Sequence, residues 1–147
     1  MNPRFIFFFL LGLDAFVLFT QTSQLSLSYY EAKLLYGEVS ALQYIIKTSL
    51  YIFGQNDFAL RLPMILMHSL SAMLLFKISK DYVYSYRNRL WIIIIFLLLP
   101  GVISSALIVN SAGLIIFGLF LFIYVYKNYS FAYVYPLLIL LLFLNSG

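Results

Sequence analysis

Long apolar blocks alternate with short polar segments along the chain, and most of these blocks show no polar face. Each is close to the ~20 residues that an α-helix needs to cross ~30 Å of hydrocarbon. A helix of a soluble domain would instead carry polar residues at helical spacing. The pattern predicts an all-α membrane domain over residues 1–147. About five spans are expected, at 5–21, 62–79, 91–109, 111–126 and 131–145.

One amphipathic segment interrupts the pattern, the loop at 28–58 between the first two predicted spans. Ser28 and Glu31 match a capping box, in which each residue satisfies a free backbone N–H of the other. They predict a short helix over 29–36 that ends at Gly37, because glycine commonly stands just after a helix.

A second loop helix is predicted at about 39–53, because apolar residues recur there every three or four positions. This stripe consists of Leu42, Ile46, Leu50 and Phe53. Gln43 and Lys47 fall on another face. Both loop helices are therefore expected to lie along the membrane surface rather than to span it.

Proline and ionisable residues refine the predicted spans. Pro63 is expected in the first turn of the second span, since proline is tolerated there. Pro100, followed by glycine, predicts a bend or break in the third span.

Asp14 and His68 lie inside the first and second spans, where ionisable groups should face protein or water. Packing and hydrogen bonding are the simplest roles for both.

Composition supports the membrane class. The chain is 64% hydrophobic and 10% charged with a mean hydropathy of +0.99, which excludes an ordinary soluble domain. It contains no cysteine, which excludes disulfides, a thiolate nucleophile and cysteine metal sites. The net charge of +4 does not imply a nucleic-acid partner, because basic residues also gather on cytoplasmic loops.

The distribution of basic residues predicts the orientation. With a cytoplasmic N-terminus, six basic residues face the cytoplasm, namely Arg4, Lys77, Lys80, Arg87, Arg89 and Lys127. Three face the other side, namely Lys33, Lys47 and Arg61. The positive-inside rule favours this arrangement. The expected location is a bacterial inner membrane, with the 28–58 loop outside the cytoplasm.

The loop and the start of the second span resemble the N-terminal part of GT-C superfamily glycosyltransferases, such as aminoarabinose transferases and protein O-mannosyltransferases. The best match is residues 44–63, YIIKTSLYIFGQNDFALRLP. Its Phe-Gly turn and its Ala-x-Arg-Leu-Pro are the most specific features. Tyr30-Glu31-Ala32 stands where the family usually has Asp-Glu-Ala. The resemblance follows the order of spans along essentially the whole chain.

Several positions depart from the family pattern. The aspartate of the acidic pair is Tyr30, the lysine after the second glutamate is Val39, and a double proline is Ser40-Ala41. The aspartate after the third span is Asn110. Family members are also several times longer. The resemblance therefore predicts that residues 1–147 correspond to the N-terminal part of a larger fold, complemented by a C-terminal portion or a partner membrane subunit.

The resemblance implies transfer of a sugar from a polyprenyl-phosphate carrier to an acceptor hydroxyl outside the cytoplasm. Such a reaction needs a carboxylate to accept the hydroxyl proton, and donors to hold the lipid phosphate. Glu31 is the candidate catalytic base or metal-associated carboxylate. Tyr30, Glu38, Arg61 and Asn110 are candidate substrate-binding residues. No cofactor is assigned, and a divalent metal is left open.

Structural roles compete with these assignments. Glu31 can simply complete the capping box, and Glu38 can be a charge at a helix start. Arg61 can anchor its helix or pair with Asp57.

Three functions follow as hypotheses: a glycosyltransferase, a non-catalytic protein that binds a lipid-linked sugar or a partner enzyme, and a small transporter or scaffold. If the protein is a small transporter or scaffold, Asp14 and His68 would be its functional residues.

Overall fold

The computed structural model describes residues 3–37, 40–129, 134–136 and 138. The regular structure of these residues is α-helical, and seven helices lie between residues 3 and 129. They are α1 (Pro3–Thr22), α2 (Tyr29–Tyr36), α3 (Ala41–Phe53), α4 (Asp57–Ser79), α5 (Tyr86–Leu98), α6 (Pro100–Leu107) and α7 (Ser111–Asn128). The prediction of an all-α fold is confirmed for this part of the chain.

Three helices, α1, α4 and α7, are long and apolar enough to cross a membrane. The pair α5–α6 becomes a fourth span if it is counted as one helix bent by 59°. Its break lies at Leu99-Pro100, as predicted, because Pro100 lacks the N–H that a continuous helix would need there. The fifth predicted span, 131–145, lies almost entirely outside the described residues. The described residues thus contain three helices that could cross a membrane, or four candidate spans if the bent pair is counted as one.

Helix α4 forms the centre of the bundle, in contact with α1, α3, α5, α6 and α7. Two hydrophobic clusters form around it. Near its start, Leu60 and Met64 pack with Ile46 of α3 and Leu114 of α7. Further along, Ala72 packs with apolar residues of α1, α5 and α6. Helix α1 instead leaves many large apolar side chains exposed, as a lipid-facing surface requires; they include Phe5, Phe8, Phe9, Leu13 and Phe16.

The first loop helix matches its prediction. Helix α2 spans Tyr29–Tyr36, and both hydrogen bonds of the capping box are present. The Glu31 backbone N–H donates to Ser28 Oγ at 3.2 Å, and the Ser28 backbone N–H donates to Glu31 Oε2 at 2.8 Å. Gly37 follows the last helical residue.

The second loop helix begins at Ala41 with Ser40 as its cap. Leu42 and Ile46 of the predicted stripe are buried, whereas Phe53 is exposed. Gln43 and Lys47, which were predicted on another face than this stripe, differ in burial, and Lys47 is exposed. Gln43 is buried, and its Nε2 donates to the carbonyls of Leu34 and Leu35 at 3.0 and 3.1 Å. Gln43 therefore fastens α3 to the last turn of α2.

Pro63 lies inside α4 and not in its first turn, which corrects the predicted start of this span. The helix begins at Asp57, where the Asn56 side chain accepts a hydrogen bond from the Ala59 N–H. Because Pro63 has no N–H, the carbonyl of Ala59, four residues earlier, loses its usual partner. The Ser49 hydroxyl of α3 donates to this oxygen at 2.6 Å. The serine of α3 thus replaces the hydrogen bond that the proline of α4 removes.

Two glycines permit close or unusual backbone geometry. Gly54, which ends α3, has φ of +89°, a conformation that favours glycine. Gly113 lies in the first turn of α7, where an added Cβ would stand 3.0 Å from the Ser105 carbonyl oxygen and 3.5 Å from Met64 Sδ. The missing side chain lets α7 approach α6 and α4, as small residues do between membrane helices.

Candidate functional site

A buried ion pair joins the loop to the central helix. Glu31 of α2 and Arg61 of α4 are each 1% exposed. Arg61 Nε donates to Glu31 Oε1 and Arg61 Nη2 donates to Oε2, both at 3.1 Å. This fork-like geometry is the strong form of an arginine–carboxylate pair. The predicted alternative partner of Arg61, Asp57, is an exposed residue instead.

Arg61 also holds the segment between α1 and α2. Its Nη1 donates to the carbonyls of Thr22 and Leu25 at 2.9 and 2.8 Å, and its Nη2 donates to that of Ser26 at 3.0 Å. The Thr22 carbonyl belongs to the last turn of α1, and the other two carbonyls follow that helix. Carbonyls at the end of a helix lack the N–H donors that the next turn would supply. One guanidinium therefore ties together the end of α1, the connecting segment and α2.

Glu31 reaches a third part of the chain. Its Oε1 also accepts from the backbone N–H of Val109 at 3.2 Å, in the turn between α6 and α7. Each carboxylate oxygen thus accepts two hydrogen bonds, one from Arg61 and one from a backbone N–H of Val109 or Ser28. We call Glu31, Arg61 and these backbone partners the loop clasp.

The surroundings of Glu31 favour its ionised form. Burial is the largest single influence on its pKa and acts to raise it. The hydrogen bonds from Arg61, Ser28 and Val109 act in the opposite direction, and together they lower the pKa below its usual value of 4.5. A carboxylate that accepts four hydrogen bonds has no free position for a substrate hydroxyl, so a role as base would require one donor to leave.

The other predicted site residues lie in different settings. Asn110 adjoins Val109, and its side chain caps α7 by accepting from the Ala112 N–H at 2.9 Å. Tyr30, the neighbour of Glu31 in α2, is 76% exposed. Glu38 lies outside the described residues. The structure therefore brings Glu31, Arg61 and the turn before Asn110 together. The catalytic role of Glu31 stays a prediction, as do the substrate-binding roles of Tyr30, Glu38, Arg61 and Asn110.

A cavity of about 500 Å³ opens beside the clasp, between α2, α3 and the start of α4. We call it the loop cleft. Its apolar lining consists of Leu27, Leu35, Leu50 and Leu60. Its polar lining consists of Tyr36, Lys47, Tyr51, Gln55, Asn56 and Asp57. Lys47 and Asp57 are the charged members of this lining. The cleft therefore offers an apolar wall, one cation and one carboxylate to an amphipathic ligand.

A second polar contact lies within the bundle. His68 of α4 and Asp14 of α1 meet with Nε2 and Oδ2 at 2.9 Å, and the His68 ring stacks on Phe96. His68 Nδ1 is buried and has no partner among the described residues. The sequence predicted packing and hydrogen-bonding roles for both residues, with a role in a transporter as the alternative, but it did not pair them. Asp14 and His68 are 54 positions apart and lie on different helices. Periodicity within one helix cannot reveal such a pair.

The described residues hold no cluster of three or more histidine, cysteine, aspartate or glutamate side chains that could bind a metal ion. Comparisons of the chain with protein-family models, with curated proteins and with solved structures give no match. The resemblance to GT-C glycosyltransferases therefore stays a prediction from the residues alone.

Proposed function

We propose that this chain is a glycosyltransferase-like membrane protein, which binds a polyprenyl-phosphate-linked sugar in the loop cleft on the extracytoplasmic side. The observation that carries the proposal is the composition of the cleft wall. A lipid-linked sugar has a phosphate between an apolar chain and a polar sugar. The leucines of the cleft match the first prenyl units, and Lys47 matches the phosphate charge.

The geometry suggests different tasks for the carboxylates. Asp57 is the carboxylate of the cleft lining and is exposed, so it can accept a proton from an acceptor hydroxyl. Glu31 and Arg61 act as positioning residues, since the clasp holds α2 against α4 and so shapes the cleft. Glu31 is the alternative base, and it would have to release one of its four donors first.

Charge supports the proposed sidedness. Arg4, Lys77, Lys80 and Arg89 line a common cavity at the end of the bundle where α1 and α5 begin and α4 ends. The loop clasp lies at the opposite end, where α4 begins. Cytoplasmic ends of membrane helices carry the excess of basic residues, which leaves the loop cleft on the other side.

Single cysteines test the sidedness, because the chain has no native cysteine. Tyr36 borders the loop cleft and is 89% exposed, whereas Tyr84 is fully exposed in the turn between α4 and α5. In right-side-out vesicles, a membrane-impermeant maleimide should label Tyr36→Cys. Tyr84→Cys is the matched control and should react only after the membrane is permeabilised. The reverse pattern would contradict the proposal.

Binding of undecaprenyl phosphate tests the cleft itself. The full chain in detergent is titrated with this lipid, and the bound fraction is measured by native mass spectrometry. Lys47→Gln should weaken binding several-fold, because it removes the cation of the cleft. Lys33→Gln is the control, since Lys33 is an exposed cation of the same loop outside the cleft. Equal affinities of both variants and the native chain would refute the assignment of Lys47.

Transfer and simple binding are separated by a second variant. If the protein transfers sugar, Asp57→Asn should abolish turnover of a polyprenyl-phosphate sugar while leaving undecaprenyl phosphate affinity nearly unchanged. Binding with no turnover in the native chain would instead support the non-catalytic carrier-binding function.

The contact between Asp14 and His68 favours a second candidate function, a small transporter. Ionisable side chains inside a membrane bundle are expensive and often mark the path of an ion or proton. Asp14 also borders an apolar cavity of about 230 Å³ between α1, α5 and α6. Proton uptake into liposomes containing the protein should then disappear in Asp14→Asn. Uptake unaffected by this change would exclude the transporter.

A further inference from the structure

The end of the bundle opposite the loop contains a second cavity of about 500 Å³ with a different character. Four cationic side chains from three helices line it. They are Arg4 at the start of α1, Lys77 at the end of α4, Lys80 just after α4, and Arg89 near the start of α5. We call this cavity the basic cleft.

The basic cleft has an excess of positive charge. Asp81 is the carboxylate of its lining, and Asp81 Oδ2 already pairs with Lys127 Nζ at 2.9 Å. Arg89 is held by neutral groups: its Nη2 donates to the Phe76 carbonyl at 2.8 Å, and its guanidinium lies 4.2 Å from the Phe76 ring centre. Lys77 Nζ lies 5.5 Å from the centre of the Tyr124 ring. Among the described residues, no carboxylate forms an ion pair with Lys77 or Arg89, so these contacts position both cations without neutralising their charge.

Most of the remaining wall of the basic cleft is apolar, and its other members are Tyr124 and Asn128. In the apolar part, Phe7 stacks on Phe76 with their ring centres 4.2 Å apart, and Phe8 and Met73 lie beside them. Phe8 is more than half exposed on the outer surface of α1. Because α1 and α4 are both candidate spans, this wall continues toward the hydrocarbon region of a membrane. Cations at the helix ends and an apolar wall below them match a phosphate headgroup with an attached acyl chain.

We propose that the basic cleft binds an anionic glycerophospholipid, with its phosphate among Lys77, Lys80 and Arg89 and one acyl chain along Phe7 and Met73. Basic pockets between membrane helices are known to bind such headgroups, and each lysine or arginine near the phosphate strengthens the attraction. The apolar wall distinguishes this ligand from a soluble phosphate, which would gain nothing from it. The site is independent of the proposed function, because it lies at the other end of the bundle.

The test compares lipids of different charge on the full chain. Protein in detergent is titrated with dioleoylphosphatidylglycerol or dioleoylphosphatidylcholine, and bound lipid is measured by native mass spectrometry. The native chain should bind phosphatidylglycerol at least ~10-fold more tightly. Lys77→Gln/Lys80→Gln should remove most of this preference, since two cations near the phosphate contribute on the order of tenfold or more. Both lysines are exposed, so the variant should fold normally.

The matched control is Lys33→Gln/Lys47→Gln, which removes the same charge at the loop end. It should keep the preference for phosphatidylglycerol, and it should lose affinity only for undecaprenyl phosphate. Three results would overturn the proposal: equal affinity for both phospholipids, a preference that survives in the Lys77/Lys80 variant, or binding of glycerol 3-phosphate as tight as that of phosphatidylglycerol. The last result would assign the cleft to a soluble phosphate.

Discussion

Replacing Glu31 with glutamine separates a structural loop clasp from a catalytic carboxylate. The amide keeps the shape of the side chain but substitutes an NH₂ group for one oxygen. In either orientation that group faces two donors, one on Arg61 and one on the backbone of Val109 or Ser28. Arg61 is also left buried without its counter-charge. Breaking one side of a buried ion pair costs about 3–5 kcal/mol.

This cost is large relative to a typical stability of about 5–15 kcal/mol. A catalytic role alone predicts the opposite, an inactive protein of unchanged stability. The free energy of unfolding is measured by titration with sodium dodecyl sulfate in mixed micelles, followed by far-ultraviolet circular dichroism. Asp57→Asn is the control, because it neutralises an exposed carboxylate of the same region and should change stability by less than ~1 kcal/mol.

A double variant shows whether the two residues act together. Glu31→Gln/Arg61→Met should be less destabilised than the sum of its two single variants, since each single change already strands the other partner. An unfolding free energy of Glu31→Gln within ~1 kcal/mol of the native value would refute the structural reasoning. Additive effects of the two changes would refute it as well.

Three further predictions concern packing and titration. Ser49→Ala should cost about 1–3 kcal/mol of unfolding free energy by unpairing the Ala59 carbonyl, and much less in a Pro63→Ala background, where the helix supplies an N–H again. Gly113→Leu should destabilise the bundle by at least ~1–3 kcal/mol, because α7 must move away from α6; Gly113→Ala should be milder. The lowered pKa of Glu31 contributes stability above pH 4.5 that is lost as the pH falls through the folded pKa, so acid titrations of unfolding should be shallower in Glu31→Gln.

Sequence patterns predicted those structural features that depend only on residues close together in the chain. The capping box of Ser28 and Glu31 predicted α2 with its observed bounds, because both of its hydrogen bonds close within one turn. Pro100 predicted the break between α5 and α6 for the same reason. The apolar blocks predicted the helices that can span a membrane, since their length and hydrophobicity are properties of single segments.

Local signals failed where a partner comes from another helix. The sequence placed Gln43 on another face than the apolar stripe of α3, but it could not show that carbonyls at the end of α2 accept the hydrogen bonds of Gln43. Pro63 suggested a helix start, but Ser49 on α3 makes an interior proline tolerable. In both cases the deciding group lies eight or more positions away in sequence, and helical spacing contains no information about it.

The sequence by itself predicted an all-α chain with apolar segments long enough to cross a membrane, in which only 10% of the residues are charged. It also singled out Glu31 and Arg61 individually. Only the tertiary structure decided that these two residues face each other, and that Asp14 meets His68. The physical reason is that hydrophobic length and turn chemistry act within a segment. The partner of a buried charge is instead chosen by how the helices pack, because a charge removed from water must find its hydrogen bonds wherever the fold places them.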